Sequence, residues 1–282
     1  MTREGHPDLR DGIRFPLVVP SSGPLYEGHF PGRPVLPGVG LLDLALRALA
    51  PAGASPTVRE IAALRLRRLV APGEHLELEV KALDPDGRAR LEVRRAAEVV
   101  ANGVVVFGEP APWADPALPA RRPPSCAARA TRAGEPRRTS GVPDLDDLLP
   151  HRPPMRFVEG IDSDTDDSVV CAVRVSERNA FNDGGSAPAL VTLEMAAQSA
   201  AVYEALRRFR ETGNAGARVG YLVGARDVRF ARARVPAGET FHATVRLSGI
   251  ALPLCTYAFD VAWRSEVVAS GTVSTWLTAT GA

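Results

Sequence analysis

The sequence predicts an α+β fold of two similar halves, each an antiparallel sheet wrapped around one central helix. Three observations predict it. Strand-like alternation dominates both halves, each half holds one long apolar helical stretch, and two short landmarks recur in the same order. Val70-Ala71-Pro72-Gly73-Glu74 answers Val235-Pro236-Ala237-Gly238-Glu239, and Glu98-Val99-Val100-Ala101-Asn102-Gly103 answers Glu266-Val267-Val268-Ala269-Ser270-Gly271. Repeated landmarks at matched positions point to a duplicated unit.

The elements follow in order. Residues 14–19 and 169–175 form the early strands of the two halves. Residues 38–50 form the first helix, stopped by Pro51. Residues 187–210 form the second, with Ser186 as N-cap and Pro188 in its first turn. Each helix is apolar on several faces, which requires a sheet that wraps it. Three or four strands then complete each half; Leu64 to Arg67, Leu76 to Val80, Val228 to Phe230 and Phe241 to Val245 alternate as strands do. Residues 116–142 are rich in Pro, Ala, Ser and Arg and lack apolar periodicity, so they read as a linker. The division is therefore 1–115, 116–142 and 143–282. The linker carries Arg121, Arg122, Arg129, Arg132, Arg137 and Arg138 against Glu135 alone, and a solvated tether explains it best.

Composition narrows the function. The chain has 282 residues, 45% hydrophobic and 24% charged, as a globular protein does. A formal net charge of +1 argues against a general nucleic-acid binder. Cys126, Cys171 and Cys255 are widely spaced and suggest neither a disulfide framework nor a zinc site, so a reducing cytoplasm is expected. No run of about 18 apolar residues is present, so no membrane span is expected.

One loop stands out chemically. Tyr26-Glu27-Gly28-His29-Phe30-Pro31-Gly32-Arg33-Pro34-Val35-Leu36-Pro37-Gly38-Val39 holds three prolines and three glycines, counting Gly38, just before the first helix. Such a backbone is stiff, and it places His29 for proton chemistry beside the N–H donors of a helix N-terminus. Glu194 lies in the second helix among Leu190, Leu193, Met195 and Ala197. Apolar neighbours favour the protonated form of a carboxyl, the form a general acid needs.

The His29 loop resembles the signature of hotdog-fold 3-hydroxyacyl-[acyl-carrier-protein] dehydratases of the FabZ and FabA type. Fourteen residues after His29, where that family carries an acid, stands Asp43. Leu149-Pro150-His151-Arg152-Pro153-Pro154-Met155 resembles the family's N-terminal Pro-His segment, and Leu190-Val191-Thr192-Leu193-Glu194-Met195-Ala196-Ala197-Gln198 its acid-bearing helix. The matching histidine position of this second half is Ala180. The first half resembles the ApeI-like members and the second the ApeP-like members of the aryl-polyene dehydratases.

The resemblance implies a tandem (double) hotdog, an internal pseudo-dimer with one composite site. His29 of the first half and Glu194 of the second are its expected catalytic pair. The backbone N–H groups of Gly38 and Val39 are expected to bind the thioester oxygen, and the Val35 carbonyl to hold the imidazole. The reciprocal site, Ala180 with Asp43, is expected to lack a base. His151 reads as loop packing near the tunnel mouth. The implied partner is an acyl carrier protein with a phosphopantetheine-linked acyl chain, with no cofactor, metal, nucleic acid or membrane, and further homo-oligomerisation left open. Arg65, Arg67, Arg68, Arg226, Arg229, Arg232 and Arg234 offer an acidic carrier a docking face or are simply a solvated sheet face. Competing readings are a hotdog thioesterase, a non-catalytic carrier-binding subunit, and isomerisation after dehydration.

Overall fold

The computed structural model describes residues 13–49, 56–111, 143–214 and 216–278. The predicted linker lies outside the described residues. Before residue 111 the elements are β1 (Ile13–Val18), α1 (Gly38–Ala48), β2 (Val58–Leu66), β3 (His75–Leu83), β4 (Arg88–Arg95) and β5 (Glu98–Phe107). After residue 143 come α2 (Leu145–Leu148), β6 (Val158–Asp164), β7 (Ser168–Arg174), β8 (Ser186–Pro188) and α3 (Val191–Thr212). The chain closes with β9 (Gly220–Phe230), β10 (Arg234–Pro236), β11 (Thr240–Ala251), β12 (Leu254–Trp263) and β13 (Glu266–Leu277).

Eleven strands form one sheet in the order β1-β3-β4-β5-β2-β9-β13-β12-β11-β7-β6. Apart from the extra edge strand β6, the order is palindromic about the β2–β9 seam. The recurring landmarks occupy matched places, one leading into β3 and β11, the other opening β5 and β13. The seam is antiparallel, pairing Glu60 with Arg229, Ile61 with Val228 and Leu64 with Ala225. It joins the two halves into one continuous ladder, so no open edge is left between them. The fold class is the predicted α+β, with helices set against an antiparallel sheet.

α3 is the more deeply enclosed helix. Fourteen of its residues are buried, from Val191 to Leu206, and they pack on β7, β9, β11, β12 and β13. Its register is pinned by two polar side chains. The Gln198 amide accepts from the Phe157 N–H at 2.8 Å and donates to the Met155 carbonyl at 2.9 Å. One and a half turns on, buried Glu204 accepts from the Tyr257 hydroxyl and, at 2.8 Å, from Arg207. Burial and the Glu204 charge push the Tyr257 hydroxyl pKa upward, so it stays a donor. Polar groups this deep are stable only when so satisfied.

The start of the second helix differs from the sequence expectation. Ser186 and Pro188 form the short strand β8 against β10, and the helix begins at Val191. Ser186 is spent on a turn with Asp183 and on Arg234, whose Nε donates to its hydroxyl at 2.8 Å. The first turn is held instead by the Thr192 hydroxyl on the Ala189 carbonyl at 2.7 Å.

Candidate active site

The His29 loop is built to meet the second half. Gly28 has φ of +84°, a conformation that glycine adopts without a Cβ penalty. Its carbonyl accepts the Arg152 N–H at 3.0 Å. A Cβ on Gly28 would stand 2.0 Å from the Arg152 carbonyl oxygen, so only glycine allows this approach. The Gly28→Ala chain is therefore expected to lose about 1–3 kcal/mol of stability, together with most of its catalytic activity. Chemical denaturation and turnover measured on the same preparation check this; an unchanged protein would mean the loop does not dock there.

That docking brings three polar side chains together inside the protein. His29 is 6% exposed, His151 4% and Glu194 3%. Their donor atoms all lie within 4.8 Å of one another. His151 Nε2 is 3.5 Å from Glu194 Oε1. The His29 Nδ1 lies 2.9 Å from the Val35 carbonyl oxygen. A carbonyl only accepts, so Nδ1 carries the proton and Nε2 keeps its lone pair. Phe30 stacks on His29 at 4.2 Å between ring centres and meets His151 edge-on at 4.8 Å, which fixes both imidazoles. Glu194 is oriented by Gln198, whose Nε2 donates to Oε1 at 3.1 Å. The same glutamine anchors Met155 and Phe157, the segment that follows His151.

These side chains border a cavity of about 530 Å³ whose wall comes from both halves. Its surface is mostly apolar, with Leu36, Leu41 and Leu66 from the first half and Ala197, Ala201 and Leu222 from the second. Such a wall suits an alkyl chain, with a few polar groups at one end. Val35 and Gly38 line it; Val39 is fully buried in the core and does not. Gly38 opens α1, and a Cβ there would meet a Leu66 methyl at 2.3 Å. The first N–H groups of α1 have no partner within the helix, and the helix dipole favours negative charge at that end.

Asp43 lies away from this cavity. It is buried in α1, and its carboxyl accepts from Arg47 Nε at 2.8 Å. Burial raises its pKa, against the pull of Arg47 and Arg234. Ala180 is half-buried and packs against the core. The surprise is His151. Its Pro-rich setting suggests loop packing, yet it lies beside both of the other side chains, 3.5 Å from Glu194 Oε1 and with its ring centre 5.3 Å from that of His29. Burial, and then the fields of His29 and Arg152, hold its pKa well below the ordinary imidazole range. The unfolded chain takes up a proton at His151 below about pH 6.5, which the folded chain refuses. His151 therefore contributes stability above that pH, lost at up to about 1.4 kcal/mol per pH unit as pH falls further. His242, raised by Asp162, works in the opposite direction. Urea unfolding at pH 7 and pH 5 is expected to show a smaller loss for His151→Phe than for the unmodified chain.

Comparisons with known proteins bear on the family and the fold. A family model described as ApeI dehydratase matches residues 6–104, and one described as ApeP dehydratase matches residues 143–280. The 3-hydroxyacyl-[acyl-carrier-protein] dehydratase FabZ of Herpetosiphon aurantiacus is 34% identical over 117 residues, 36% of this chain and 80% of that protein. FabZ of Nitratidesulfovibrio vulgaris strain DP4 is 34% identical over 120 residues, 35% of this chain and 75% of its own length. Among solved structures, the PpsC dehydratase domain of Mycobacterium tuberculosis with C12:1-CoA superposes with a TM-score of 0.63. That match is 15% identical and covers 95% of this chain and 97% of the domain, so the double-hotdog fold is shared end to end. With one motif-bearing loop, one acid-bearing helix and relatives matched over most of their length, the chain belongs to the hotdog 3-hydroxyacyl-[acyl-carrier-protein] dehydratases, its first half ApeI-like and its second ApeP-like.

Proposed function

We propose that the chain removes water from a 3-hydroxyacyl group held as a phosphopantetheine thioester on an acyl carrier protein, in fatty acid or aryl-polyene-type biosynthesis. The observation that carries this is the meeting of His29 and Glu194, from different halves, on one apolar cavity. His29 Nε2 takes the C2 proton. The electrons of that C–H bond form the C2–C3 double bond while the C3–O bond breaks. Glu194 gives its proton to the departing hydroxyl, and water leaves. His29 then holds one proton more and Glu194 one fewer, and a transfer between them resets the pair. Charge building on the thioester oxygen is met by the N–H of Gly38 at the α1 N-terminus; Val39, the second donor expected from the sequence, is buried away from the cavity.

In this reading residues 1–115 are the His-bearing domain, 116–142 the linker and 143–282 the Glu-bearing domain, an internal pseudo-dimer. The reciprocal position pairs Asp43 with Ala180 and has no base. Arg67 and Arg68 border the cavity and suit the acidic face of a carrier protein in the cytoplasm. Among the described residues no helix is long and apolar enough to cross a membrane.

Mass spectrometry of carrier-bound 3-hydroxyacyl chains of several lengths tests the proposal. Loss of one water with the thioester intact is the expected result. Release of free carrier thiol would identify a thioesterase instead, and an unchanged mass a non-catalytic subunit.

A further inference from the structure

The cysteines of this chain suggest no metal centre, but the cavity groups two imidazoles and a carboxylate. The geometry points to a binding site for a borderline divalent transition metal, Zn²⁺ by class, on His29, His151 and Glu194, whose filling shuts the enzyme off. Two imidazoles and one carboxylate are the donor set of three-ligand zinc sites that keep a fourth position open. Bonds of about 2.0–2.2 Å at tetrahedral angles place donor pairs roughly 3.3–3.5 Å apart. The His151 Nε2 to Glu194 Oε1 pair already stands at 3.5 Å. The widest separation in the set is under 4.8 Å, so a side-chain shift of no more than about 1.5 Å closes the cage.

The surroundings are prepared in the way metal ligands need. His29 gives its Nδ1 proton to the Val35 carbonyl, which leaves Nε2 as the free donor. Such a second hydrogen bond orients most metal-bound histidines. Glu194 is held by Gln198 in the same manner. His151 is buried, yet its Nδ1 has no hydrogen-bond partner among the described residues, so its ring turns toward a cation without breaking a bond there. All three side chains line the cavity, which leaves room beside them for a fourth ligand such as water. Two nitrogen donors select Zn²⁺, Co²⁺ or Cu²⁺ over Mg²⁺ and Ca²⁺. A cation on His29 Nε2 occupies the atom assigned as base. The shut-off therefore rests on the proposed dehydration, while the binding does not.

The test uses the full chain without a polyhistidine tag, stripped with chelator and titrated with Co²⁺ as a coloured stand-in. The expected result is one equivalent bound with the visible absorption of a tetrahedral ion, displaced by Zn²⁺. The band is expected to vanish in His151→Phe and, separately, in Glu194→Gln, with circular dichroism unchanged in both. Water loss from the carrier-bound substrate is expected to cease with one equivalent of Zn²⁺ and to return with chelator. Absence of the band, or its survival in both variants, overturns the site. A variant-dependent band without Zn²⁺ inhibition overturns the shut-off. If the stripped His29→Ala chain still dehydrates, the catalytic reading fails on its own, and the Co²⁺ spectra of the other two variants still judge the cation site.

Discussion

His29→Ala is expected to slow dehydration by about 10²–10⁴-fold, the usual cost of removing a general base. The loss should fall on kcat, because the ring takes its proton only as C2 reacts, and substrate binding rests mainly on the apolar wall. Stability should change little in comparison. The imidazole makes one hydrogen bond, to the Val35 carbonyl, and its loss leaves a loop still clamped by the Gly28–Arg152 contact. Single-turnover mass spectrometry gives the rate, and denaturation the stability. A variant that keeps more than a tenth of the rate would remove His29 from the chemistry.

Glu194→Gln is expected to produce a loss of the same order, and Asp43→Asn almost none. The glutamine keeps the shape and the contact with Gln198 but has no proton of carboxyl acidity to give. Asp43 is the acid at the family's usual distance from His29 in the sequence, which makes the contrast sharp. In the structure its carboxyl is committed to Arg47 and it does not border the cavity. If the rates come out reversed, the catalytic acid belongs to the same half as the histidine, and two chains would have to pair through their first halves. The double variant His29→Ala/Glu194→Gln should be little worse than either single one, since residues acting as a unit are strongly non-additive.

Much of this arrangement is legible in the chain. The Pro- and Gly-rich loop announces a rigid histidine, and Glu194 among apolar neighbours in the second helix announces a buried acid. The repeated landmarks announce two related units, and the strands they introduce, β3 with β11 and β5 with β13, do occupy matched places. Four features are not legible, each for a physical reason. His151 is flanked by Pro150, Pro153 and Pro154, a pattern of loops; it is buried by contacts with the first-half loop, far away in sequence. The available signal was the likeness of that Pro-His segment to the family's own, since a lone buried imidazole beside an acid is a functional candidate. The helix start was misplaced because Ser186 and Pro188 fit a capping pattern, while the competing partner, β10, lies nearly 50 residues on. β6 escaped because Val158-Glu159-Gly160-Ile161-Asp162-Ser163-Asp164 is a polar edge strand with a glycine in it. The β2–β9 seam depends on register between distant strands, for which single-sequence alternation carries no information.

The most direct measurement is a crystal structure of the Glu194→Gln chain with a bound 3-hydroxyacyl pantetheine thioester, in which His29 remains intact. The acyl chain is expected within the apolar cavity, its C2 carbon about 3–3.5 Å from His29 Nε2, and its 3-hydroxyl within about 3.2 Å of the residue-194 amide. An acyl chain lodged elsewhere, or a 3-hydroxyl resting on Asp43, would contradict the pairing of His29 with Glu194.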